Sequence, residues 1–296
     1  MKLALPLTLF TLALWSSLAY LGTHLSRLPA FLVTGIALCV GASISLPRAG
    51  LWRVPAKTLA VGVGGIFGYH FLYFTAFRLA PPVEVNLMNY LWPLLIVVLT
   101  PALLPGHTLR PQHLIGAMLG LAGAGLIVTG GRVALDLANL PGYACAAAAA
   151  LIWALYSLLT RRLPPFPTEA VGGFCLISGL LSLGLYLAES AATGQFIAPT
   201  GSDWALLAGL GIGPMGLAFL TWSAALKRGD PRIIGALSYL TPLASTLLLV
   251  LLGGRALTAT SGVAMLLIVA GALIGSLDLL RGSSRLPMAQ TGDVRR

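Results

Sequence analysis

Charge is what this sequence has least of. Asp, Glu, Lys and Arg make up 9% of its 296 residues, against about 25% in a typical soluble domain. Ten long stretches contain none of these four residues. With 57% hydrophobic residues, a water-soluble fold would have too little polar surface to cover its core. The shortage of charge therefore excludes a soluble protein.

Each charge-free stretch has about the ~20 residues that an α-helix needs to cross the hydrocarbon core of a bilayer. In lipid the backbone must satisfy its own hydrogen bonds, which favours helices. The sequence predicts an all-α integral membrane protein with ten transmembrane helices, at 3–22, 29–46, 58–77, 85–104, 114–130, 140–160, 170–188, 204–226, 233–252 and 258–277.

Catalytic and ligand-binding motifs are also missing. The sequence has no acid pair within a stretch, no metal-ligand spacing, no nucleophile elbow and no phosphate loop. We therefore expect no enzyme activity, no metal and no cofactor. Because no full charge lies within a stretch, the expected cargo is neutral or zwitterionic. The three cysteines all fall inside apolar stretches, which favours packing over disulfides.

The basic residues that are present are distributed unevenly. If residue 1 lies in the cytoplasm, fourteen of the 18 Lys and Arg residues fall on the cytoplasmic side and four on the other. This is the positive-inside pattern of membrane proteins. The net charge of +10 is thus an orientation signal and predicts no nucleic-acid partner. We expect a multi-pass protein of a bacterial inner membrane with both termini cytoplasmic.

The chain also repeats itself. Tyr90-Leu-Trp-Pro93 reappears 149 residues later as Tyr239-Leu-Thr-Pro242, and Trp15 matches Trp153 at a shift of 138. The sequence thus predicts two five-helix repeats, 1–132 and 136–282, followed by a disordered basic cytoplasmic tail, 283–296. Because five is odd, the second repeat must be inverted, as in many transporters with a central cavity between repeats.

Histidine and tyrosine on the third stretch are the first candidate site residues. His70 is the only histidine within a stretch, and at about 100° per residue it shares a face with Tyr73, while Tyr69 lies one step round. An imidazole in hydrocarbon needs a partner or a wet cavity. The alternative is a packed, hydrogen-bonded histidine.

The fourth stretch places Asn86, Asn89, Tyr90 and Pro93 within one arc of about 100°. Asparagines are costly in lipid and should face inward. Pro93 cannot donate to the carbonyl of Asn89, which is then available to a ligand ammonium.

Pro242 has the same effect on Ser238, next to Tyr239, in the second repeat. The two prolines are candidate hinges. A kink filled by water or by a neighbouring helix is the alternative.

Tryptophans lie near the middle of several stretches, away from the interfacial aromatic belt. Trp92, Trp15 and Trp153 are candidates for lining a cavity, whereas Trp222 is ambiguous. Such indoles either pack helices together or offer stacking surfaces and cation–π contacts.

Ten spans, two five-helix repeats and the motifs around Trp15 and Trp153 resemble the drug/metabolite transporter superfamily, EamA type. The run from Glu84 to Pro93, Glu-Val-Asn-Leu-Met-Asn-Tyr-Leu-Trp-Pro, is similar to the bacterial YddG aromatic amino acid exporters. The resemblance implies alternating-access efflux of aromatic amino acids across the inner membrane. The resemblance also implies that five residues line the cavity, namely Tyr69, His70, Tyr73, Tyr90 and Trp92.

The residues themselves are compatible with this cargo. We expect its ring to stack among Tyr73, Tyr90 and Trp92, and its charged ends to meet freed carbonyls, Asn89 and His70. Alternatives are export of another metabolite, such as threonine, homoserine or a drug, and a non-transporting membrane protein. Because ten helices suffice to enclose a site, we expect a monomer in the lipid bilayer.

Overall fold

The computed structural model describes residues 3–132, 136–253 and 258–278, which form helices and short connections. The predicted tail, 283–296, lies outside the described residues. The helices of the predicted first repeat are α1 Ala4–Ser16, α2 Leu18–His24, α3 Ala30–Ser43, α4 Ala56–Leu79, α5 Pro82–Asn89, α6 Leu91–Leu103 and α7 Pro111–Thr129, with a 3-10 helix, Leu46–Trp52, after α3.

The predicted second repeat begins with a 3-10 turn, Leu137–Asn139, before α8. Its helices are α8 Leu140–Leu159, α9 Ala170–Thr193, α10 Gly201–Ile212, α11 Ala218–Arg228, α12 Pro231–Ser238, α13 Leu240–Gly253 and α14 Ala259–Gly275. A π-helical turn, Gly213–Leu217, joins α10 to α11. All ten predicted stretches are therefore helical.

Eight helical segments of the described chain are long and apolar enough to cross a membrane. A ninth arises if α3 and the following 3-10 helix, which meet at 91°, form one bent span. The remaining stretch contains α14, a shorter apolar helix. The part of the chain that the structure describes is thus that of a multi-pass, all-helical membrane protein, with eight or nine segments of sufficient length and apolar composition to span a bilayer.

Besides the eighth stretch with its π-helical turn, three predicted stretches are divided into two helices each. The first breaks at Ser17, where Ser16 and Ser17 donate hydroxyl hydrogen bonds to the carbonyls of Ala13 and Leu14. Hydroxyls that bond back to the preceding turn bend helices. Ser245 on α13 donates to the carbonyl of Ser16 across the bend. The other two breaks fall at Tyr90 and Tyr239.

Close packing of helices depends on glycine where α7 crosses α14. A β-carbon on Gly116 would lie 2.6 Å from the α-carbon of Gly275, and one on Gly271 would lie 2.6 Å from the carbonyl oxygen of Gly116. Only glycine allows backbones to approach this closely, a common arrangement between membrane helices. By contrast, a β-carbon on Gly64 would meet no atom within 4 Å.

Ion pairs lie at the two ends of the helix bundle. Within the described residues, each salt bridge joins two side chains that the charge count assigns to the same side of the membrane. The pairs of the predicted outer side are Arg27–Asp203 and Arg78–Glu189, and those of the inner side are Arg48–Glu169, Arg110–Asp278, His113–Asp278 and Arg232–Asp230. The helices therefore bring together loops that the sequence places on one side.

Candidate functional site

Four tryptophans from four helices form one cluster in the middle of the bundle, here called the indole cluster. Its members are Trp15 on α1, Trp92 on α6, Trp153 on α8 and Trp222 on α11. Every pair of rings is in contact, with centroids between 5.0 and 6.5 Å apart. Each side chain is less than a tenth exposed. Two indoles come from each repeat, so the cluster lies between the halves of the chain.

Two of the indoles are held by hydrogen bonds. Trp15 donates to the carbonyl oxygen of Pro214 in the π-helical turn, at 3.2 Å. Trp222 donates to the hydroxyl of Ser157, at 3.1 Å. The N–H groups of Trp92 and Trp153 have no hydrogen-bond partner among the described residues.

The tyrosines predicted on the third stretch continue this aromatic region along α4. The ring of Tyr69 lies 5.3 Å from that of Trp153 and stacks on Tyr73 at 5.5 Å, with ring planes 17° apart. Tyr73 is farther from the indoles and nearer the end of α4. Both tyrosines are partly exposed. A polar aromatic wall therefore leads from the indole cluster towards one end of the bundle.

His70 is buried, at 6% exposure. Its Nδ1 lies 2.7 Å from the carbonyl oxygen of Ile66, and its ring packs against Tyr69, Phe74 and Phe219. Since a carbonyl only accepts, Nδ1 carries the proton and Nε2 is left as an acceptor in the neutral ring. The structure thus shows a packed, hydrogen-bonded His70 whose neighbours Tyr69 and Phe219 also contact Trp153.

Two asparagines of α5 join the tyrosines. Tyr73 donates to Oδ1 of Asn86 at 2.5 Å, and Nδ2 of Asn89 donates to the hydroxyl of Tyr69 at 3.2 Å. The other atom of the second amide, Oδ1 of Asn89, is buried without a partner among the described residues. A buried acceptor without a donor is costly, and it is available to a donor group on a ligand.

Tyr90 and Tyr239 mark equivalent breaks in the two repeats. Helix α5 ends at Asn89 and α6 begins at Leu91, while α12 ends at Ser238 and α13 begins at Leu240. Each break lies three residues before its proline, and both Pro93 and Pro242 are buried. The helix is therefore interrupted about one turn upstream of each predicted hinge proline.

The structure does not bring Ser238 and Tyr239 to the indole cluster. Ser238 is 1% exposed and donates to the carbonyl of Ile234. Tyr239 is fully buried and packs against α7, where a β-carbon on Gly120 would lie 2.4 Å from its ring. Its hydroxyl contacts the backbone at Tyr90 and Leu94. In this structure both side chains therefore lie in the helix framework, and their place in a substrate site stays a prediction.

Sequence reasoning missed two aromatic members of this region, Phe74 and Phe219, noted Tyr156 only as a neighbour of Trp153, and left Trp222 undecided. Phe219 and Tyr156 pack against Trp153 at 5.5 and 5.3 Å, and Tyr156 also fills the space beside Gly65. Phe74 completes the contacts of His70. A signal for Trp222 existed in the repeat, because the shift of 149 residues aligns it with Tyr73.

Comparisons with known proteins agree with this architecture. A model of the EamA-like transporter family matches residues 2–129 and again residues 140–277. The aromatic amino acid exporter YddG of Ancylobacter novellus is 43% identical over 275 residues, covering 89% of this chain and 93% of that protein. An uncharacterized transporter, YyaM of Bacillus subtilis, is 25% identical over 62% of this chain and 60% of its own length.

A solved crystal structure of a protein with 40% identity superposes with a TM-score of 0.88 and covers 95% of this chain and 99% of its own. The helical bundle with its buried aromatic centre is thus that of a multi-pass membrane transporter. The chain belongs to the EamA-like transporter family.

Proposed function

We propose that this transporter exports aromatic amino acids across the bacterial inner membrane by alternating access. The observation that carries the proposal is the indole cluster, to which each repeat contributes two tryptophans. Aromatic rings pack edge-to-face or offset at centroid distances of about 4.5–7 Å. The ring of an aromatic cargo can therefore pack against these indoles in the same way as they pack against each other. The printed name of the similar Ancylobacter protein supports the same cargo.

The charged ends of the cargo need their own partners. Oδ1 of Asn89 and Nε2 of His70 are acceptors without a partner among the described residues and suit an ammonium group. The free N–H groups of Trp92 and Trp153 suit a carboxylate. We therefore assign His70 to the ammonium group. A neutral imidazole whose Nδ1 proton is already donated has no second N–H to donate to a carboxylate.

Alternating access requires two halves that exchange conformations. We propose that residues 1–132 and 136–282 are these halves. They are inverted with respect to each other and together form ten spans. The helix contacts support this arrangement. Helix α4 of the first repeat packs on α8, and its counterpart α11 packs on α1. The counterpart pairs α3–α9 and α7–α14 also pack together, as expected of helices that lie beside a pseudo-two-fold axis.

The excess of Lys and Arg at one end of the bundle sets the proposed orientation, with both termini cytoplasmic. Salt bridges that join only same-side residues support the alternation of spans. The apolar outer surface, with Leu251 79% and Leu266 72% exposed, suits contact with lipid. We propose that the chain functions as a monomer, since the indole cluster is enclosed by helices of this one chain.

The test is uptake of labelled phenylalanine into proteoliposomes, with unlabelled tryptophan, threonine and a phosphate ester as competitors. Saturable uptake blocked by tryptophan alone supports the proposal. Competition by threonine as strong as that by tryptophan would indicate a general metabolite exporter. No uptake of any of these cargoes would contradict the proposed cargo.

A tryptophan variant links the transport activity to the cluster. Trp92→Ala should reduce phenylalanine uptake more than it reduces the yield of folded protein, because it removes one wall of the site. The matched control is Trp204→Ala, since Trp204 is 52% exposed on α10. Equal losses of uptake and folded protein at Trp92 would leave it only a packing role.

A further inference from the structure

Trp222 contacts every other member of the indole cluster. Its ring centroid lies 5.0 Å from that of Trp15, 5.7 Å from that of Trp92 and 6.3 Å from that of Trp153, the last pair nearly parallel at 25°. Its side chain is also the least exposed of the four, at 1%. A cargo ring that enters the cluster therefore meets Trp222 or displaces it.

The depth of Trp222 in the bundle places it at one end of the site. It lies six residues before Arg228, where α11 ends, about 9 Å along the helix axis. Trp92 lies eleven residues before the end of α6 on the same side, about 16 Å. Tyr73 and Asn86 lie near the opposite ends of their helices. By the same measure Trp153 lies about 9 Å from the end of α8, so Trp222 and Trp153 together lie between the polar aromatic wall and the proposed cytoplasmic end.

The orientation of Trp222 is fixed. Its N–H donates to the hydroxyl of Ser157, which is fully buried on α8. Thr160 in turn donates to the carbonyl of Ser157, at 3.0 Å. An indole held by a buried hydrogen bond forms a wall of definite shape, unlike a flexible side chain that only fills space.

From these contacts we infer that Trp222 is a specificity-determining residue: the ring of the cargo packs against its indole at the cytoplasmic end of the site. Ser157 is the residue that positions this indole. The inference rests on the proposed function. The space that remains in front of the Trp222 ring sets how large a ring the site accepts. A smaller side chain at this position should therefore favour the larger cargo, tryptophan, over phenylalanine.

The experiment compares kcat/KM for tryptophan and phenylalanine in proteoliposomes for the wild type, Trp222→Phe and the control Trp204→Phe. Trp222→Phe removes two carbons and a nitrogen and should raise the tryptophan-to-phenylalanine ratio by about tenfold, the low end of what a single methylene changes in an apolar pocket. Trp204→Phe should leave the ratio unchanged, because that side chain is exposed on the outer surface.

Ser157→Ala provides a second variant that keeps the ring but removes its hydrogen bond. It should shift the ratio in the same direction by about two- to threefold, since a released indole leaves more space, and Ser157→Thr, which keeps a hydroxyl, should restore it. If Trp222→Phe does not fold, the Ser157 pair decides the question.

An unchanged ratio in Trp222→Phe and Ser157→Ala overturns the inference, whether or not total transport falls, because packing alone affects both cargoes equally. The proposed function fails separately, when the wild type itself carries neither amino acid.

Discussion

The hydroxyl of Tyr239 is inserted into the broken helix that contains Tyr90. It donates to the carbonyl oxygen of Tyr90 at 3.0 Å and accepts the N–H of Leu94 at 3.2 Å. In an uninterrupted α-helix that N–H would bond directly to that carbonyl, four residues upstream. A side chain of the second repeat thus holds the helix of the first repeat open next to Pro93.

Removal of this hydroxyl should loosen the break. Tyr239→Phe leaves the N–H of Leu94 and the carbonyl of Tyr90 without their shared partner, so we expect the free energy of unfolding to fall by about 1 kcal/mol. Hydrogen exchange in the peptide that contains Leu94 should become faster.

The control is Tyr20→Phe, because the hydroxyl of Tyr20 makes no hydrogen bond among the described residues. Exchange at Leu94 that is as slow in Tyr239→Phe as in the wild type would mean that the inserted hydroxyl does not hold the break.

The proposed inversion of the two halves predicts a reciprocal form of this contact. If the halves exchange conformations, the hydroxyl of Tyr90 should insert between the carbonyl of Tyr239 and the N–H of Leu243, each 149 residues from its counterpart. Tyr239→Phe and Tyr90→Phe should then shift the protein towards opposite conformations. The labelling rate of a single cysteine placed beside Tyr73 measures this shift, and changes of the same sign in both variants would contradict the exchange.

Oδ1 of the Asn89 amide should accept a hydrogen bond from the ammonium group of the cargo. Asn89→Leu removes the unpaired Oδ1 but keeps a side chain of similar size. We expect kcat/KM for phenylalanine to fall by about tenfold, as for the loss of one hydrogen bond to a charged group, with a smaller effect on 3-phenylpropionate, which lacks the ammonium.

Competition between the two compounds in proteoliposomes measures this difference. Asn86→Leu is the matched comparison, because both polar atoms of the Asn86 amide already have partners within the protein. An equal loss for both compounds in Asn89→Leu would remove Asn89 from ammonium recognition.

Gly116 should tolerate no side chain. In Gly116→Val, the added carbons would meet the backbone of α14 within 3 Å, and we expect a loss of about 1–3 kcal/mol in the free energy of unfolding from overpacking. Thermal unfolding in detergent measures it. Gly64→Val is the control, since that position is open. Equal stability losses in both variants would point to helix propensity and not to the α7–α14 contact.

Asp278 links the end of α14 to the start of α7. Burial raises the pKa of its carboxyl, but hydrogen bonding by Gln112 and the positive charges of Arg110 and His113 outweigh burial and hold the pKa below its ordinary 3.8. A carboxyl whose pKa is lowered by folding stabilises the protein above the unfolded value, and the contribution is lost as the pH falls through the folded value.

The melting temperature of Asp278→Asn should therefore lie below that of the wild type at neutral pH, and the two should converge at a pH below 3.8. Glu189→Gln is the control, because both side chains of its pair with Arg78 are more than a third exposed and such pairs contribute little. A constant difference between Asp278→Asn and the wild type down to the lowest pH would mean that shape, not charge, matters at this position.

Local chemistry along the chain was enough to predict the helices and part of the site. The absence of charge in ten stretches required helices, because an unpaired backbone in lipid is too costly. Asn86 and Asn89 were predicted to face inward for the same reason, and they do contact the tyrosines of α4. The repeat of Tyr90 at Tyr239 located both helix breaks to within one turn.

The tertiary structure alone decided which of these residues meet. Trp222 joins the cluster because α11 packs against α1 and α8, a relation between segments far apart in sequence that no local pattern encodes. Tyr239 looks like Tyr90 in sequence, yet it lies against Gly120 and caps the opposite repeat. The repeat determines equivalent positions, whereas ring contacts and hydrogen bonds depend on how the two halves pack.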